Sequence, residues 1–67
     1  MKKEIEQIIN MKLKKKSENE YYLKLCDWIM VTDEKKLELY KYCRENNIET
    51  YLDIDNKNKC FKKEKRE

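Results

Sequence analysis

A chain that must close its hydrophobic core within 67 residues has few architectures open to it. At this size folding buries only about 60% of the surface that the unfolded chain exposes. One such core rarely supplies more than about 3–5 kcal/mol of net stability. The expectation is a single domain over residues 1–63, with Glu64–Glu67 as a mobile charged tail. Little surplus is left to hold a strained catalytic site, and a bound partner would add to what keeps the chain folded.

The spacing of apolar residues predicts a mainly α fold, a three-helix domain with a C-terminal β-hairpin or a short fourth helix. Ile5, Ile8, Ile9 and Leu13 fall on one helical face within Lys2–Lys16, with Lys14, Lys15 and Lys16 at the negative end of the dipole. Lys12 lies inside that face and would have to snorkel its amine outward. Ser17 and Glu20 match a capping box, predicting a second helix from Glu18 to Met30. Its apolar arc would exceed half the circumference, leaving only Glu20, Lys24 and Asp27 as a polar strip. Thr32 followed by Asp33 and Glu34 predicts the start of a third helix, with Leu37, Leu39, Tyr40 and Cys43 facing inward. Asn46-Asn47 is a plausible left-handed stop in the role glycine usually plays.

Beyond Ile48 two readings compete. Thr50, Leu52 and Ile54 alternate with Tyr51 and Asp53, Asp55–Asn58 is rich in turn formers, and Lys59–Lys63 completes a hairpin. Tyr51, Ile54 and Phe61 also fit a helix capped by Thr50. The alternation favours the hairpin.

The residue types argue against an enzyme. Histidine, the commonest general base, is absent, so Cys26, Cys43 and Cys60 have no imidazole to make a thiolate. No CxxC pair exists to seed a zinc site. There is no glycine to let a backbone approach phosphate. Asp53 and Asp55 lack the glycine and the downstream glutamate of a calcium loop. No cofactor and no metal are expected. The even spacing of the cysteines carries no further repeat in its flanks, and an odd number of thiols fits a reducing, cytoplasmic compartment. The N-terminal stretch has no apolar signal core, and the longest apolar run, Trp28–Val31, is far too short to span a bilayer. No membrane partner is expected.

Nearly half of the residues are charged (46%), yet the formal net charge is only +3. Lysines gather near residues 12–16 and 57–66, with most acids between. Lys, Asn, Ile, Tyr and Phe make up 33 of the 67 positions, and Gly, Pro and Ala are absent. That bias implies an AT-rich gene of the kind found in low-GC bacteria and their phages.

Two binding functions follow. One is an inhibitor or adaptor that docks on a host protein or nucleoprotein complex, with Tyr22, Tyr42, Tyr51 and Arg44 as candidate contacts. Tyrosine and arginine are common interface anchors, and these tyrosines fall at the margins of their apolar stripes. Phage-borne anti-defence action, as in an anti-CRISPR protein, is its sharpest form, and homodimerisation through the second helix is a sub-case. The alternative is a winged-helix-like nucleic-acid-binding regulator using Lys14, Lys15, Lys16, Lys59, Lys62 and Lys63. Against it, Asp33-Glu34 would open the recognition helix, where phosphates repel acids.

Overall fold

The computed structural model describes residues 1–64. In chain order its elements are α1 (Lys2–Ile9), β1 (Lys14–Ser17), β2 (Glu20–Lys24), α2 (Leu25–Ile29), α3 (Asp33–Glu45), β3 (Ile48–Asp53) and β4 (Asn58–Lys63). The strands form one antiparallel sheet in the order β1-β2-β4-β3. The fold is therefore α+β, and the expectation of a mainly α, three-helix domain is corrected.

The first correction falls after Ile9. Asn10 adopts a left-handed conformation (φ 56°, ψ 39°) that ends α1. The Glu6 carboxylate then accepts the Leu13 N–H at 2.7 Å, which turns the chain toward the sheet. Beyond this point Lys12-Leu13-Lys14 obeys strand alternation, so Leu13 enters the core and the lysines do not. Lys12 thus escapes the strained place that a longer helix would have given it.

The second correction falls on the predicted second helix. Ser17 caps nothing; it pairs with Glu20 across the two-residue turn Glu18-Asn19. Tyr21, Tyr22 and Leu23 become the heart of β2, and only Leu25–Ile29 is helical. Aromatic residues suit a pleated surface with neighbours on both sides, and β2 has β1 and β4 as neighbours. An apolar arc wider than half a helix is also what residues buried toward two different sides of a sheet would produce. The element order behind the winged-helix comparison, three helices and then a hairpin, is not that of this chain.

The third helix begins and ends near its predicted signals. Thr32 Oγ1 accepts the Lys35 N–H at 3.3 Å, and Asn47 is left-handed (φ 56°) just past the end of α3. Its inward face is narrower than expected: Leu39 and Cys43 are buried, whereas Leu37 is 70% exposed. The C-terminal hairpin is present. Its turn is closed by the Lys57 N–H to the Ile54 carbonyl at 3.2 Å, with Lys57 left-handed (φ 55°). Asp53 carries the turn further, accepting from the Asn56 backbone at 3.3 Å and from its side chain at 2.8 Å. Of the expected mobile tail, Glu64 donates its N–H to the Asn47 carbonyl at 3.1 Å; residues 65–67 lie outside the described residues.

Residues opposite one another in an antiparallel pair share a face. The register therefore puts Tyr21, Leu23, Ile48, Thr50, Leu52, Lys59 and Phe61 on one face and Glu20, Tyr22, Glu49, Tyr51, Asp53, Asn58, Cys60 and Lys62 on the other. The first face carries the core. Phe61, fully buried, meets the Trp28 ring edge-on at 6.1 Å, with Ile5, Ile9, Leu13, Leu39 and Cys43 closing the cluster.

Candidate functional site

The large hydrophobic side chains left exposed among the described residues are Ile29, Met30, Leu37, Tyr40, Leu52 and Ile54. Register and contacts gather them at one end of the molecule. Leu52 pairs with Lys59, and the Lys59 ammonium lies 5.0 Å from the Trp28 ring centre and 5.4 Å from that of Tyr40. Ile29 and Met30 directly follow Trp28, Leu37 precedes Tyr40 by one turn, and Ile54 opens the turn after β3. Two shallow grooves mark this end. One, about 370 Å³, lies between α2 and the β3–β4 turn and is lined by Leu25, Cys26, Ile29 and Lys57 among others. The other, about 380 Å³, runs along α3 beside Leu37, Tyr40, Lys41 and Arg44.

Beneath the apolar end sits a lysine. Lys59 is only 5% exposed, its stem covered by the core and its charge held against two aromatic faces. Burial pushes its pKa down from the usual lysine range. Lys36 approaches the same Trp28 ring at 5.1 Å. Lys59 therefore helps to fix the Trp28–Tyr40 pair, whose rings meet edge-on at 6.2 Å. It is not a free cation for a phosphate.

The opposite face of the sheet is closed by polar groups. Tyr22, Cys60 and Tyr51 form one rung, and Cys60 at its centre is fully buried. Tyr51 donates its hydroxyl hydrogen to Glu20 and accepts from Lys16 Nζ at 3.3 Å. Lys16 also pairs with Glu20 at 3.4 Å and Asp53 at 3.6 Å. The bond to Glu20, with burial second, pushes the Tyr51 hydroxyl up to about 12. The bond to Tyr51 raises Lys16 above the usual lysine range, and the Asn56 bonds hold Asp53 below that of a carboxylate.

The residues singled out from sequence are thus dispersed. Tyr22 and Tyr51 share the polar sheet face, half-buried. Tyr42 is half-buried against the core, and burial raises its pKa. Arg44 is exposed and lies at the apolar end's α3 groove. Lys14, Lys15 and Lys16 are exposed on β1, and Lys62 and Lys63 on β4. Lys62 stands between Glu20 and Glu49 on neighbouring strands, so its charge faces acids on both sides. The exposed apolar residues were missed as a site because each fits an apolar stripe and reads as core. The available signal was surplus: the stripes hold more large apolar residues than so small a core can cover.

Among the described residues no group of three or more Cys, Asp and Glu side chains is placed to hold a metal ion, and no helix is long and apolar enough to cross a membrane. Fold and surface together define a small α+β domain: a four-stranded antiparallel sheet with an uncovered apolar end. Comparison with protein-family models, with curated proteins and with solved structures finds no match.

Proposed function

We propose that this chain is a non-enzymatic binding module, an inhibitor or adaptor that docks on a protein or nucleoprotein complex through its apolar end. The supporting observation is the exposure of Ile29, Met30, Leu37, Tyr40, Leu52 and Ile54, with Tyr40 in the Trp28–Tyr40–Lys59 cluster, Leu52 paired with Lys59, and Ile29 and Leu37 lining the two grooves. Single exposed apolar residues are ordinary on a protein surface, but a gathered set rimmed by charge marks an interaction site. Lys24, Lys41, Arg44 and Lys57, with Glu45 as the one acid lining these grooves, supply a mainly basic rim. The expected partner surface is an apolar patch with acidic groups at its margin. The AT-rich coding character favours phage anti-defence action as the setting.

The test is a tagged pull-down from host lysate with nuclease present, run with the wild type, Ile29→Asp and Leu37→Asp. Both positions are exposed, so the fold should tolerate either change within about 0.5 kcal/mol. The expected result is one stoichiometric protein that survives nuclease and is lost with both variants. A protein retained by both variants, or recovery that nuclease abolishes, would overturn the reading. The second outcome would return the lysines of β1 and β4 to first place.

A further inference from the structure

One side of α3 is bare. Asp33, Leu37, Tyr40 and Arg44 are spaced four, three and four residues apart, which sets them in one row along the helix, and all four are exposed. This is not the inward row, from which Leu39 and Cys43 enter the core. The groove along it is lined by α3 residues alone, Leu37, Tyr40, Lys41, Arg44 and Glu45, so no other element walls it off. A row with this spacing is the seam by which one helix packs along another.

Along this row the charge runs from acid to base. Asp33 opens it, Arg44 closes it, and the two apolar residues lie between. One flank repeats the order, with Glu34 beside Asp33 and Lys41 beside Tyr40, both exposed. On the other flank Lys36 is turned onto the Trp28 ring at 5.1 Å. Glu38 and Glu45 lie further round the helix, beyond these flanks. Met by its own reverse, the row sets apolar against apolar and each charge against its opposite.

We infer that α3 pairs antiparallel with α3 of a second copy about a two-fold axis. In such a contact, whatever one copy's residue meets, the other copy's equivalent meets in turn. Leu37 of each copy meets Tyr40 of the other, Asp33 meets Arg44, and on the flank Glu34 meets Lys41. The other registers are worse. A parallel pair sets Asp33 on Asp33 and Arg44 on Arg44. Sliding the antiparallel pair by one heptad sets Asp33 against Leu37 in one direction and Tyr40 against Arg44 in the other. The inference rests on the reading of the apolar end as an interface and gives its α3 part an occupant, so Leu37 and Tyr40 belong to both. Ile29, Met30, Leu52 and Ile54 lie outside α3, and a dimer presents them twice to a docked protein. The helix spans 13 residues, about 20 Å, so the interface is small and the dimer weak.

The experiment is sedimentation velocity of the full-length protein from micromolar to millimolar concentration, with Asp33→Arg, Arg44→Asp and an equimolar mixture of the two variants. The wild type should form a dimer whose share rises with concentration. Each variant alone should dimerise at least about tenfold more weakly, because like charges then meet at both ends of the pair. The mixture should recover, since opposite charges meet again. Circular dichroism matching the wild type shows that each variant is folded. Ile29→Asp lies outside the pair and should dimerise as the wild type does, so its failure to capture a host protein reports on docking alone. A wild type that stays monomeric at millimolar concentration would overturn the inference; if it still captured a host protein, the α3 row would pass to that protein. Variants that dimerise like the wild type, or a mixture that does not recover, would also overturn it and move self-association to another face.

Discussion

Truncating Phe61 should unfold this protein, while an equal change at Leu52, two rungs away on the same sheet face, should cost only a fraction as much. Phe61 is fully buried, flanked by Tyr21 and Thr50 and capped by Trp28 at 6.1 Å. Removing a phenyl ring from such a site costs about 3–5 kcal/mol. That equals the whole net stability expected of a core this size, about 3–5 kcal/mol. Phe61→Ala should therefore be largely unfolded in buffer, whereas Phe61→Leu, which keeps most of the volume, should lose about 1–1.5 kcal/mol. Leu52 is 51% exposed, so Leu52→Ala forfeits about half of a full burial, roughly 1 kcal/mol. Urea unfolding followed by Trp28 fluorescence measures all three. With a slope of about 1 kcal/mol/M, Phe61→Leu moves the midpoint down by about 1–1.5 M and Leu52→Ala by about 1 M or less. Phe61→Ala should show no folded baseline. If Leu52→Ala proved as damaging as Phe61→Ala, that end of the sheet would be covered. The uncovered apolar surface on which the proposed docking rests would then not exist.

Two further measurements bear on the thiols and the polar sheet face. Cys26 is exposed while Cys43 and Cys60 are buried, and burial pushes the Cys43 thiol up to about 11, so a thiol reagent at neutral pH should label Cys26 alone until denaturant is added; prompt labelling of all three would show that the core opens easily. The Tyr51 hydroxyl is raised from 10.0 to about 12, so the unfolded chain gives up that proton before the folded one does; its contribution is full below about pH 10 and fades as pH rises toward 12. Tyr51→Phe should accordingly flatten the fall in melting temperature across that window, and identical slopes for the two proteins would remove the Glu20 bond from the account.

What was legible in the sequence were the features fixed by neighbours along the chain. Thr32 with Asp33 and Glu34 starts α3 because a cap and a dipole act within one turn. Asn46-Asn47 ends it because asparagine tolerates a left-handed backbone. What misled was a local signal with two meanings. Ser17 and Glu20 stand three apart, which suits a capping box and equally suits the first rung beyond a two-residue turn. The choice rests on whether β4 lies alongside to pair with Glu20–Lys24, and β4 begins more than thirty residues further on. The exposure of Leu37 was hidden for the same reason, since periodicity finds an apolar stripe but not whether anything covers it.

Net charge is a poor guide to the partners of this chain. The formal value of +3 averages over lysines on β1 and acids along β3, and the strand order sets these on opposite edges. Three inter-strand spacings separate them, about 14 Å. At physiological ionic strength the Debye length is only about 8 Å. A partner approaching one edge therefore meets the charges of that edge and of its neighbouring strand, Lys62 beside Glu49 included, with the far edge largely screened. Lys16 is the exception that ties the two together, since it leaves β1 and reaches Glu20, Tyr51 and Asp53 across the polar face. Of the acids on β3 it pairs with Asp53 and not with Glu49, which faces Lys62 across the β3–β4 pair.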